Sequence, residues 1–254
     1  MMITIYTITG SAVYAAEIPV SDQDQLITSR DWTEISNLQD EMKKEEPDAT
    51  IDYDKALKVY VDCNLIKLQT ADTKKLTSAL ESANYVWVIP FKMEKTYGMF
   101  TVAKGLPLSE EAKSVLTKAE QEEVKNHAGK WMITETAEHT VEPYYDILLE
   151  KREALSDCTR VVLVGSQPGM RQPVALGMDD ETARIWISLG YQYPVMEKIP
   201  ETQNVESGVY SFDSVAEISD TYIEDSEVST GAGVQSRSSM KYVAGIGIIV
   251  IGSI

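Results

Sequence analysis

The chain closes on Tyr242 to Ile254, YVAGIGIIVIGSI, an apolar run set behind Lys241 and a long polar stretch. A run of this kind must leave water, either into a core or into a membrane. As a helix it rises ~20 Å, against a hydrocarbon core of ~30 Å that takes about 20 apolar residues. It therefore reads as a transmembrane helix cut short, and Gly245, Gly247 and Gly252 suit a membrane helix better than a soluble one. Three other readings stand beside it. Ile246, Ile248 and Val250 are β-branched and suit a buried strand. Gly231-Ala232-Gly233, the polar spacer Val234 to Lys241 and the apolar tail follow the order of a lipid-anchor signal. The fourth reading is a disordered end.

The opposite terminus points the same way. Met1 to Ala16 is apolar, breaks at Gly10-Ser11 and ends in small residues ahead of Glu17. Val13-Tyr14-Ala15 fits a signal-peptidase site, so residues 1–15 are expected to be a signal peptide. No Lys or Arg precedes the apolar run, which leaves an ordinary strand as the alternative. Together the two ends predict an extracytoplasmic, cell-surface protein anchored in a membrane through its C-terminal tail.

Composition bounds what lies between. A 254-residue chain with 43% hydrophobic residues can bury a core. Its net charge of −17 excludes nucleic acid, whose phosphates require a basic face, and disfavours an anionic leaflet. Calcium would suit so acidic a chain, but Asp22-Gln23-Asp24 and Asp52-Tyr53-Asp54 are pairs without the rest of a loop. Cys63 and Cys158 could pair if exported, closing a loop worth ~4 kcal/mol, or remain two buried thiols. No Asn-x-Ser/Thr sequon occurs, which leans toward a bacterial surface protein.

In chain order, Glu17 to Arg30 reads as polar and loose. Asp31-Trp32-Thr33-Glu34 reads as a capping box opening an amphipathic helix to about Lys44, with Pro47 as its stop. Leu57, Val59 and Val61 alternate with polar residues as in a half-buried strand. Asp72 caps a short helix with Leu76, Leu80 and Ala83 on one face, and Asn84 ends it. Tyr85 to Phe91 and Thr96 to Lys104 then form a hairpin, with Pro90 implying an edge or a bulge. Ser109-Glu110-Glu111 opens one helix whose buried stripe is Ala112, Val115, Leu116, Ala119 and Val124, closed by Gly129. Trp131 to Thr134, Val141 to Leu155 and Thr159 to Val164 read as strand, helix and strand, and Gln172 to Gly177 with Ala183 to Leu189 as a hairpin.

The expected fold is α+β: a mixed or antiparallel sheet with helices packed on one face. It admits two strand-helix-strand-strand units, with halves at 57–105 and 130–190 of a 57–212 domain. Residues 16–56 precede it as a polar segment and amphipathic helix. Residues 213–241, acidic and then Ser/Gly-rich, form a linker to the tail at 242–254.

Chemistry is hard to find. Ser238-Ser239-Met240-Lys241 matches the Ser-x-x-Lys nucleophile motif, but without Ser-Asp-Asn or Lys-Thr-Gly to complete it. Gly165-Ser166-Gln167-Pro168-Gly169 follows a strand without matching a nucleophile elbow or a phosphate loop. His127 and His139 have no metal-ligand spacing, and no motif calls for a cofactor. The residues nominated for ligand contact are Trp186, Tyr191, Tyr193, Ser166 and Gln167. The expected function is non-catalytic binding of a protein, peptide or cell-wall ligand, against an exported hydrolase with a dispersed site or a sensor ectodomain.

Overall fold

The computed structural model describes residues 18–218 apart from 140–141, 166, 168–169, 171, 191–195 and 200–203. The expected signal peptide, the apolar tail and the linker beyond 218 lie outside the described residues. In chain order the elements are helices α1 (Trp32–Ile35) and α2 (Gln39–Glu45), strands β1 (Thr50–Ile51) and β2 (Leu57–Tyr60), and helix α3 (Thr73–Ser82). Strands β3 (Tyr85–Lys92) and β4 (Tyr97–Lys104), helices α4 (Glu110–Val115) and α5 (Lys118–His127), strand β5 (Trp131–His139) and helix α6 (Tyr144–Glu150) follow. Strands β6 (Arg160–Val164), β7 (Val174–Met178), β8 (Ala183–Ser188), β9 (Asn204–Glu206) and β10 (Val209–Ser211) come last, and residues 212–218 are helical.

The strands form one mixed sheet in the order β5-β4-β3-β2-β6-β7-β8-β10-β9, with β1 pairing beside the end of β3. β2 and β6 are parallel neighbours at its centre, and each flank folds outward from them antiparallel. The architecture is thus α+β. Helices, however, cover both faces. On one, Leu76 and Leu80 of α3 pack with Val162, Leu176 and Trp186, and further along Ile35 and Met42 pack with Trp87, Ile89 and Phe100. On the other, Tyr144 and Leu148 of α6 pack with Val59, Leu163 and Ile187. A strand covered on both sides has no solvent face, which is why β2 is buried at every position, Lys58 and Tyr60 included.

The element order of the second unit is present, β5, α6, β6 and β7 in sequence, but its pairing does not repeat the first: β2 and β3 are neighbours, whereas β4, β3 and β2 lie between β5 and β6. Pro90 also escapes expectation, since β3 is an interior strand. The ladder partners change there: β2 ends opposite Val88, β1 begins opposite Phe91, and the Pro90 carbonyl between them accepts from Asp52 N at 2.9 Å.

The body is also longer than 57–212. Ile18, Asp24 and Leu26 are buried in the stretch expected to be loose, and Val215 is buried past the expected boundary. All the same, Asp72 caps α3 as predicted, accepting from Lys74 N and Lys75 N.

Candidate functional site

Both of the described residues nominated for ligand contact belong to the core. Gln167 is 3% exposed and its amide is fully engaged. Oε1 accepts from Leu65 N at 3.0 Å, while Nε2 donates to the carbonyls of Cys63 at 2.6 Å and Gly165 at 2.9 Å. It stitches together the two chain segments that leave the parallel β2/β6 pair. Trp186 is fully buried and stacks on Phe212 with centroids 5.8 Å apart, its Nε1 finding no hydrogen-bond partner among the described residues. Ser166, Tyr191 and Tyr193 lie outside the described residues.

Cys63 and Cys158 are free thiols and no disulfide joins them. The sheet separates them: Cys63 packs among Leu65 and Val162 on one face, Cys158 among Val161 and Leu163 on the other. Burial, with Asp62 beside Cys63 and Asp179 beside Cys158, pushes each thiol up to about 11, which keeps both protonated at neutral pH. The two histidines sit at opposite ends of β5, His127 just before it and His139 as its last residue. Among the described residues no group of three or more His, Cys, Asp or Glu is placed to hold a metal ion. No helix among them is long and apolar enough to cross a membrane.

A buried polar network ties the N-terminal segment to the sheet. Asp24, 2% exposed, accepts from Tyr60 Oη at 2.7 Å, Ser21 Oγ at 2.7 Å and Arg160 Nη2 at 3.0 Å, and Lys58 Nζ lies 3.5 Å away. Burial works to raise the Asp24 pKa, but the bonds from Ser21, Tyr60 and Arg160 outweigh it and hold the carboxyl below its ordinary value. The Lys58 ammonium is ringed by Tyr85, Trp87 and Tyr60, with centroids at 4.6, 5.2 and 5.7 Å, and donates to the Gln23 carbonyl. Burial lowers its pKa, against the pull of Asp24. Asp31, expected to cap a helix, makes no cap bond. Its carboxylate instead accepts from Tyr85 Oη at 2.9 Å and Trp87 Nε1 at 3.1 Å. Apart from Arg160 Nε, which is buried with no hydrogen-bond partner among the described residues, these groups satisfy one another, and the arrangement is a latch.

The arm between β4 and β5 has a different character. Those strands pair to their ends, Lys104 opposite Trp131, so the hairpin is closed where the arm leaves it. The one helix expected here is two, α4 and α5, broken at Leu116-Thr117. Ser109 caps α4 through Ala112 N, and Thr117 with Glu120 forms a reciprocal capping box on α5. Gln121 Nε2 donates across the break to the carbonyls of Lys113 at 3.1 Å and Leu116 at 2.9 Å. At the base, Gly105 N donates to Lys130 O at 2.9 Å and Gly129 N to Gly105 O at 2.8 Å. A side chain at Gly105 would overlap the His127 carbonyl, and Gly129 turns the chain at φ +76°.

This arm is held by its own bonds and lies outside the body's core. Of the described side chains in its two helices only Val124 is buried. Val115, expected in the buried stripe, is 80% exposed, and Ala119 is exposed too. The missed signal was Thr117-Lys118-Ala119-Glu120, a capping box that starts a second helix inside the first one's periodicity. The chain matches no protein-family model, no curated protein and no solved structure.

Proposed function

We propose that this is a membrane-tethered, extracytoplasmic module that binds a protein or peptide ligand without catalysis, and that the arm at 105–130 carries the contact. The tether rests on the apolar runs at the two ends and the acidic, Ser/Gly-rich stretch ahead of Tyr242. The binding role rests on one observation: two capped helices, clamped by Gln121, bury among their described side chains only Val124 and leave Val115 in water. Ordering a segment costs about 1–2 kcal/mol of backbone entropy per residue, and burial normally offsets that cost. Here local capping offsets part of it, and what results is an exposed Val115 held on preorganised helices, an order that lowers the cost of association.

A photo-crosslinking residue at Val115, in cells expressing the complete gene, tests the contact. The expected result is a discrete surface adduct that Leu116→Asp abolishes and that the same residue at exposed Lys75 on α3 does not give. Equal labelling at both positions would overturn the reading. Fractionation tests the tether: membrane recovery with protease access from outside is expected, and a soluble chain retaining Met1 would contradict it.

A further inference from the structure

The outer side of β5 is a sheet edge. β5 has nine residues and stands last in the strand order, and no described strand pairs with its outer side. Its register with β4 skips Thr134, between Ile133 opposite Val102 and Glu135 opposite Thr101. Below that bulge the ladder is regular from Glu135 to His139, opposite Thr101 to Tyr97. A long regular edge offers a row of backbone donors and acceptors to any extended chain.

The charges along this half select among such chains. Glu138 is exposed and Glu135 half-buried. The end of α2 brings Glu45 and Glu46 alongside, Thr136 Oγ1 donating to Glu45. Glu46 is raised above its ordinary value by burial and by Glu138 and Glu45, which places it within repelling distance of both. A second copy of the chain paired with Glu138 opposite its own counterpart would set acid against acid, and like charges facing each other across strands are destabilising. An incoming strand with Lys or Arg at alternate positions, on the face that carries Glu138, would instead relieve the repulsion around Glu46.

The geometry points to β-strand addition of an extended basic peptide along Glu135–His139. This rests on the reading of the chain as a peptide- or protein-binding module and specifies the mode and charge of one ligand.

The test uses the full chain and three labelled octapeptides: alternating Lys-Val, alternating Glu-Val and alternating Lys-Pro, which cannot complete a ladder. Expected is saturable binding of Lys-Val alone, weakened about tenfold by Glu46→Lys with Glu138→Lys and by high salt, with new amide protection confined to residues 135–139. Glu138 is exposed and Glu46 half-buried, and circular dichroism of the variant checks that the fold is kept. Equal binding of Lys-Pro, or binding without protection of β5, would overturn the inference while leaving the arm contact standing. No binding of Lys-Val would overturn it too, as would β5 amides already protected in the free chain, which would mean that another part of the chain occupies the edge. Failure of the binding-module reading is read separately, from the Val115 crosslink.

Discussion

Residues 18–49 and 105–130 both add helices to the same sheet, yet one is built into the core and the other is kept out of it. The first buries Leu26, Ile35 and Met42 against Trp87, Ile89 and Phe100, and Asp24 and Asp31 reach across to side chains of the sheet. The second buries Val124 and bonds chiefly to itself. Both are helical, so helicity alone says nothing about role. What separates them is where their polar bonds go: outward to distant strands in the latch, inward to near neighbours in the arm. A segment that spends no burial on the body is available to something else.

The sharpest break in this contrast is at the latch. Asp24→Ala should lower unfolding free energy by about 3–5 kcal/mol, since Lys58 and Arg160 would keep buried charge without their carboxylate; chemical denaturation measures it. Ile35→Ala should cost about 2–4 kcal/mol through the cavity it leaves. Acid gives the same contrast without mutation. The Asp24 pKa is lowered in the fold, so its contribution is fully present above the unfolded carboxylate value near ~4 and is lost as pH falls through the lower folded value. The groups facing it are Ser21, Lys58, Tyr60 and Arg160. Stability followed from pH 6 to pH 2 should therefore decline, and the decline should flatten in Asp24→Asn.

In the arm the same kinds of change should do less to the body. Thr117→Ala removes a cap worth about 1 kcal/mol; hydrogen exchange in 118–127 should quicken while β2 and β6 stay protected. Val115→Ser should move stability by less than about 0.5 kcal/mol, because an exposed side chain has little native contact to lose.

Local signals in the sequence were read well where they acted locally. Asp72 capping α3, the apolar strand Tyr85 to Phe91 and the β7–β8 hairpin all depend on neighbours a few residues away. Signals that act at a distance are not legible from local pattern. Asp31 looks like an N-cap by its spacing to Glu34, but Tyr85 and Trp87, more than fifty residues on, claim its carboxylate. Lys58 and Tyr60 look like the wet side of a strand until an acid from residues 18–31 covers them. The helix break at Thr117 was legible and was overridden by the apolar periodicity running through it. Gln167 and Trp186 have the loop and aromatic character of ligand residues, but their burial depends on a topology that local pattern does not carry.

The central claim is that the arm serves recognition and the sheet does not need it. Replacing residues 105–130 by Asn-Gly leaves Lys104 and Trp131 joined by a two-residue hairpin turn, which their existing pairing suits. Thermal unfolding of this shortened chain beside the intact one is the most direct test. The account predicts one cooperative transition within a few degrees of the parent. A chain that aggregates, or melts lower by about 10 °C or more, would show that the arm belongs to the core and would contradict the account.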